Sequence, residues 1–103
     1  MIMAKYNKLV RDKIPEYIKS KGGLPIIHIA GDVEYWEKLK EKLQEEVQEF
    51  LEAENAEEMA DILEAIDAIC DFKKFDKKEI ESIKNKKAKD RGKFKEKIIL
   101  EES

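Results

Sequence analysis

Two amphipathic stretches separated by one turn residue constrain this chain more than any other feature. From Asp32 to Glu54 the apolar residues Trp36, Leu39, Leu43, Val47 and Phe50 recur at steps of three and four. At about 100° per residue, that spacing gathers them on one helical stripe. Met59, Ile62, Leu63, Ile66, Ile69 and Cys70 repeat the pattern in the following segment. Asn55 is the turn between them, because Ala53-Glu54 ends one pattern and Ala56-Glu57-Glu58 restarts it. Helices joined so tightly should lie antiparallel. The expectation is an all-α fold, an antiparallel helical bundle completed by oligomerisation, with short extended terminal segments.

Acidic residues interrupt these stripes at helical spacing. Glu46-x-x-Glu49 lies in the first segment and Glu58-x-x-Asp61 in the second. Glu46 falls roughly 60° and Glu49 roughly 120° from Leu43 on the same flank. Glu58 is close in angle to Ile62, Ala65 and Ile69, and Asp61 borders that face, whereas Glu64, Asp67 and Asp71 point away. Four carboxylates converging between two helices repel unless a cation holds them, and hard oxygen donors suit a hard divalent ion such as Mg2+. A second reading stands beside this one: Glu46 and Glu49 are solvated flank residues paired with Lys42 or Lys38.

With 103 residues the chain should form one domain, 1–103, with a modest core. Its 44% charged residues and regularly placed Leu, Ile and Val indicate a folded protein with a charged surface. The single cysteine, Cys70, excludes an internal disulfide and sits on an apolar stripe, as an inert core thiol would. No apolar run suffices for a membrane span, and Met1 to Ala4 are too short for an export signal, so a cytoplasmic location is expected. Residues 41–67 carry 11 acids against Lys42, and residues 84–97 carry eight bases against Asp90 and Glu96. An acidic wall and a separate basic segment suit a polyanionic, metal-bound ligand. The basic segment alone also fits a nucleic-acid surface, but no aromatic interleaving, zinc spacing or DNA-binding signature accompanies it.

The remaining elements are short. Asp12 is placed to cap a helix reaching about Ile18, with Pro15 in its first turn and Gly22-Gly23 as its stop. Pro25 to Ala30 reads as an edge strand or a packed loop, and Asp32 as the cap of the first long helix. Asp76 with Glu79 has capping-box spacing and opens a helix to about Asp90, which Arg91-Gly92 breaks. Lys97-Ile98-Ile99-Leu100 is apolar enough to pack on the domain, against the 25–30 segment.

Three blocks in order carry a resemblance: Tyr6-Asn7-Lys8-Leu9-Val10-Arg11-Asp12-Lys13-Ile14-Pro15; Lys42 to Glu49 followed by Glu58-Met59-Ala60-Asp61-Ile62-Leu63; and Lys86 to Phe94. The chain resembles the MazG-like all-alpha nucleoside triphosphate pyrophosphohydrolases, in particular the small phosphoribosyl-ATP pyrophosphohydrolase-like proteins. It differs in having only the residues Phe50 to Glu57 between the acid pairs, and Lys93 where relatives often have glycine. The resemblance implies a homodimer or dimer of dimers acting on a nucleotide polyphosphate and releasing a nucleoside monophosphate and pyrophosphate. It implies that Glu46, Glu49, Glu58 and Asp61 bind metal and that Glu45 orients water.

On that reading one or two Mg2+ ions, or Mn2+ in their place, bridge phosphate oxygens. Glu45 or Glu49 accepts the water proton. Lys8, Arg11, Lys13, Lys87 and Arg91 are the expected phosphate contacts. His28 has no partner histidine or cysteine and reads as structural, and Trp36 as core or dimer interface, although Tyr35 and Trp36 are also candidates to stack on a base. The alternative function is a non-catalytic nucleotide-sensing or helical interaction module.

Overall fold

A computed structural model describes residues 5–103; residues 1–4, the stretch read as too short for an export signal, lie outside the described residues. Four helices occur in the order α1 (Ile14–Ser20), α2 (Asp32–Ala53), α3 (Ala56–Lys73) and α4 (Lys77–Arg91), with no strand among the described residues. The expected all-α character is thus observed.

The α2–α3 turn follows from its residues. Glu54 takes a left-handed conformation (φ 52°) and returns its N–H to the Phe50 carbonyl at 2.7 Å, closing α2. Asn55 is extended, and its side chain accepts the Glu58 N–H at 3.0 Å, opening α3. Trp36 near the start of α2 stacks on Phe72 near the end of α3, with ring centroids 5.7 Å apart and planes 7° from parallel. Tyr35 meets the same Phe72 ring edge-on at 5.3 Å. Further along, Glu46 meets Glu58 and Asp61, so the two helices run antiparallel.

Their seam is the core. Leu39, Ala65 and Cys70 are buried, and Trp36, Leu43, Phe50, Ile62 and Ile69 are half-buried. Met59, Leu63 and Ile66 remain largely exposed on another side of α3. α4 starts at Asp76, whose carboxylate accepts the Lys78 N–H at 2.8 Å, and is tied back by Lys77–Asp67 at 3.1 Å. No residue of α4 is buried.

Four local expectations are corrected. Asp12 does not cap α1: a tight turn in which the Ile14 N–H bonds the Arg11 carbonyl at 3.0 Å carries the chain through Asp12 and puts Lys13 at the cap position, without a side-chain bond. Gly22 (φ 85°) lets the chain leave α1, and Gly23 passes so near Ile18 that a Cβ there would stand 2.6 Å from its Cγ2. Gly31, not Asp32, is the residue preceding α2, and Asp32 becomes its first residue. The 25–30 segment is not a strand, and Ile26, Ile27 and Ile29 are exposed. The tail residues Ile98, Ile99 and Leu100 are likewise exposed rather than packed against it.

Candidate metal centre

Glu46 is the most unusual residue of the fold. It lies on α2 facing the α3 seam, and only 5% of its surface is exposed. Lys42, one turn earlier, places Nζ 3.1 Å from Glu46 Oε1, while Oε2 is buried with no hydrogen-bond partner. Across the seam Glu58, in the first turn of α3, also has a buried, unpartnered Oε2. Asp61 follows one turn later, and carboxylate oxygens of Glu46, Glu58 and Asp61 all lie within 4.8 Å of one another. The first turn of α3 tolerates this charge because its free N–H groups form the positive end of the helix. Burial removes the solvated half of the alternative for Glu46, whereas the pairing with Lys42 that it expected is present.

Glu49 stands outside the three-residue group, one turn from Glu46 on the same helix. Burial is the main cause that raises the Glu46 pKa; Lys42 opposes it, and the negative charge of Glu49 adds to it. Glu45 behaves oppositely. Burial works against its ionisation, yet Lys8 at 3.0 Å on Oε1 and Lys42 at 3.4 Å on Oε2 hold its carboxyl below the usual range. Lys42 is itself raised, its partial burial outweighed by Glu46 and Glu45.

Of the five basic residues expected at phosphate, two reach this centre. Lys8 lies on Glu45, and Arg11 Nη2 is 2.8 Å from Asp61 Oδ1. Lys13 occupies the start of α1, while Lys87 and Arg91 lie in the last turns of α4 with no ion pair among the described residues. Lys42, read from sequence only as a possible flank partner, proves to be the interior cation of the site; its i,i+4 spacing to Glu46 was the available signal. His28 pairs with Glu34 at 3.0 Å. Trp36 is committed to Phe72, with the Lys73 and Lys40 ammonium groups 4.5 and 5.3 Å from its ring centroid.

The donor set fits a hard divalent cation. Two unpartnered buried carboxylate oxygens on facing helices lack the hydrogen bonds that such atoms normally require. All donors are carboxylate oxygens, the type that Mg2+, Mn2+ and Ca2+ prefer.

No protein-family model matches the chain, and no solved structure matches it. An uncharacterised protein of Mycolicibacterium smegmatis is 49% identical over 47 residues, covering 46% of this chain. The chain thus spans about half, 48%, of the length of that relative.

Proposed function

We propose that the protein is a magnesium-dependent nucleoside triphosphate pyrophosphohydrolase of the MazG-like type, cleaving the α–β phosphoanhydride to a monophosphate and pyrophosphate. The observation that carries this reading is the pair of orphaned, buried oxygens on Glu46 and Glu58 beside Asp61. Glu46, Glu58 and Asp61, joined by Glu49, hold Mg2+. A bound Mg2+ supplies charge neutralisation of the polyphosphate and acidifies an attacking water.

The chain's own residues then divide the work. Glu45 or Glu49 accepts the water proton. The lysine partners on both Glu45 oxygens favour Glu49 for this role, because a carboxylate already stabilised as an anion is a weaker base. Lys8 and Arg11, which stand at the centre, bind the outer phosphates and stabilise the leaving pyrophosphate; Lys13, Lys87 and Arg91 are further phosphate contacts on this reading, although the single chain does not bring them to the acids. The ordered blocks from Tyr6 to Phe94 support the family reading. No described helix is long and apolar enough to cross a membrane, and we place the single domain in the cytoplasm.

A homodimer or dimer of dimers completes the assembly. The chain exposes 9797 Å², whereas a folded monomer of this mass exposes about 6,000 Å². The excess per chain is larger than the roughly 1,000–2,500 Å² that each partner of an obligate homodimer buries, so a shared helical interface would cover part of it.

Pyrophosphate release from a panel of canonical, deoxy and damaged nucleoside triphosphates, with and without Mg2+, tests the proposal. Release dependent on Mg2+ and abolished in Asp61→Asn is the expected result. Nucleotide binding without turnover across the panel would instead support a sensing module.

A further inference from the structure

The segment before α1 lies across the acid centre as a basic strap. Asn7 is left-handed (φ 47°), a conformation that asparagine tolerates better than most side chains. Beyond it Lys8 lies on Glu45 of α2, and Arg11 lies on Asp61 of α3. Leu9 between them is half-buried. The strap therefore grips both helices through charge, at contacts that are substantially exposed: 57% for the Arg11 side chain and 38% for Asp61. Exposed ion pairs of this kind are readily exchanged.

Charge explains why the strap sits there. Among the described residues, Lys8, Arg11 and Lys42 are the cations paired with the group Glu45, Glu46, Glu49, Glu58 and Asp61. With all five acids ionised, the centre keeps a formal excess of two negative charges, the charge of one divalent cation. Asp61 belongs both to the candidate donor set and to the Arg11 ion pair. A divalent ion on that set removes the excess charge and places like charge beside the guanidinium.

We propose that residues 6–13 are a displaceable internal counterion: Arg11 and a divalent cation compete for Asp61, and metal loading releases the guanidinium. This proposal rests on the divalent-cation reading of the acid centre. Once released, Arg11 has an unfilled donor fork available to a phosphoryl group. The strap thereby couples occupation of the acid centre to the readiness of an anion-binding arginine.

The chain has only two arginines, Arg11 and Arg91, and the exposed Arg91 provides an internal reference. The wild-type protein is treated with an arginine-directed dicarbonyl reagent, with and without Mn2+ at constant ionic strength, and modification at each arginine is quantified by mass spectrometry. The Arg11-to-Arg91 ratio should rise about twofold to fivefold with Mn2+, the range that loss of an exposed ion pair allows. In parallel, electron paramagnetic resonance of free Mn2+ should show Arg11→Gln binding the ion tighter by a similar factor. An unchanged ratio with Mn2+ bound, or unchanged or weaker Mn2+ binding by folded Arg11→Gln, overturns the strap proposal and leaves the metal site standing. Absence of Mn2+ binding to the wild type overturns both. The modification ratio needs no variant, so the proposal stays testable if Arg11→Gln does not fold.

Discussion

Glu49 and Arg91 separate metal chemistry from general phosphate affinity. Glu49→Gln keeps size and loses an anionic donor, so pyrophosphate release should fall at least roughly tenfold while a non-hydrolysable triphosphate analogue still binds. Arg91→Ala should weaken both analogue binding and turnover, because its proposed target is the polyphosphate. Near-normal turnover in Glu49→Gln would remove that residue from the metal set and from base catalysis. Protonation offers an independent test. The Glu46 carboxyl is raised above 4.5, first by burial, so its contribution to stability is present below its unfolded pKa and is lost as pH rises through its folded pKa. The Glu45 carboxyl is lowered: burial opposes ionisation, but Lys8 and Lys42 prevail, so its contribution is present above the unfolded value and is lost as pH falls through the folded one. Thermal unfolding of the metal-free protein from about pH 3 to 8 should therefore show a mildly acidic optimum, and Glu46→Gln should flatten its neutral side. The acids were legible in sequence because i,i+3 spacing fixes which carboxylates share a helix flank. Lys8 and Arg11 were legible only as bases bound for phosphate. Their carboxylate partners lie 37 and 50 residues away, and no local period encodes such contacts.

Asn55 governs the element scale, because one side chain terminates the connection and starts α3. Asn55→Ala should cost about 1 kcal/mol, lowering the melting temperature by about 4–8 °C in a domain of this size. Calorimetry of the two proteins checks this, and an unchanged melting temperature would show that the cap contributes nothing. The long helices were readable because their stripes and turn chemistry agree: Leu39 and Cys70 are buried where the periodicity placed them. The pattern was less informative for α3, where Met59, Leu63 and Ile66 satisfy the same apolar period yet stay exposed. The shorter pieces were misread for a related reason. Apolar composition says that Ile26, Ile29, Ile98 and Ile99 gain from burial, but not where a covering surface lies, and none of the described residues covers them. Asp12 has the chemistry of a cap, but the turn from Arg11 to Ile14 puts Lys13 rather than Asp12 at the cap position.

At the scale of the whole molecule, exposed apolar surface is the dominant fact. The Cα radius of gyration is 18.3 Å and the extents are 59 × 31 × 25 Å, against a radius of about 13 Å for a compact chain of this length. A homodimer at micromolar concentration is the expected outcome of sedimentation equilibrium, and a monomeric mass with full activity would refute it. Mg2+ should also raise the melting temperature, by an increment equivalent to about 2.7 kcal/mol when its concentration is a hundred times its dissociation constant. Asp61→Asn should blunt that rise. The short Glu54-Asn55 connection has a mechanical consequence. At 1.5 Å per residue, Asp61 stands about 9 Å along α3 from the turn and Phe72 about 26 Å. If the two helices splay about that turn as rigid arms, a given opening at the aromatic end moves the carboxylates only about a third as far. The acid centre thus sits close to the pivot of a pair of calipers, where its spacing is buffered against the breathing of the open jaws.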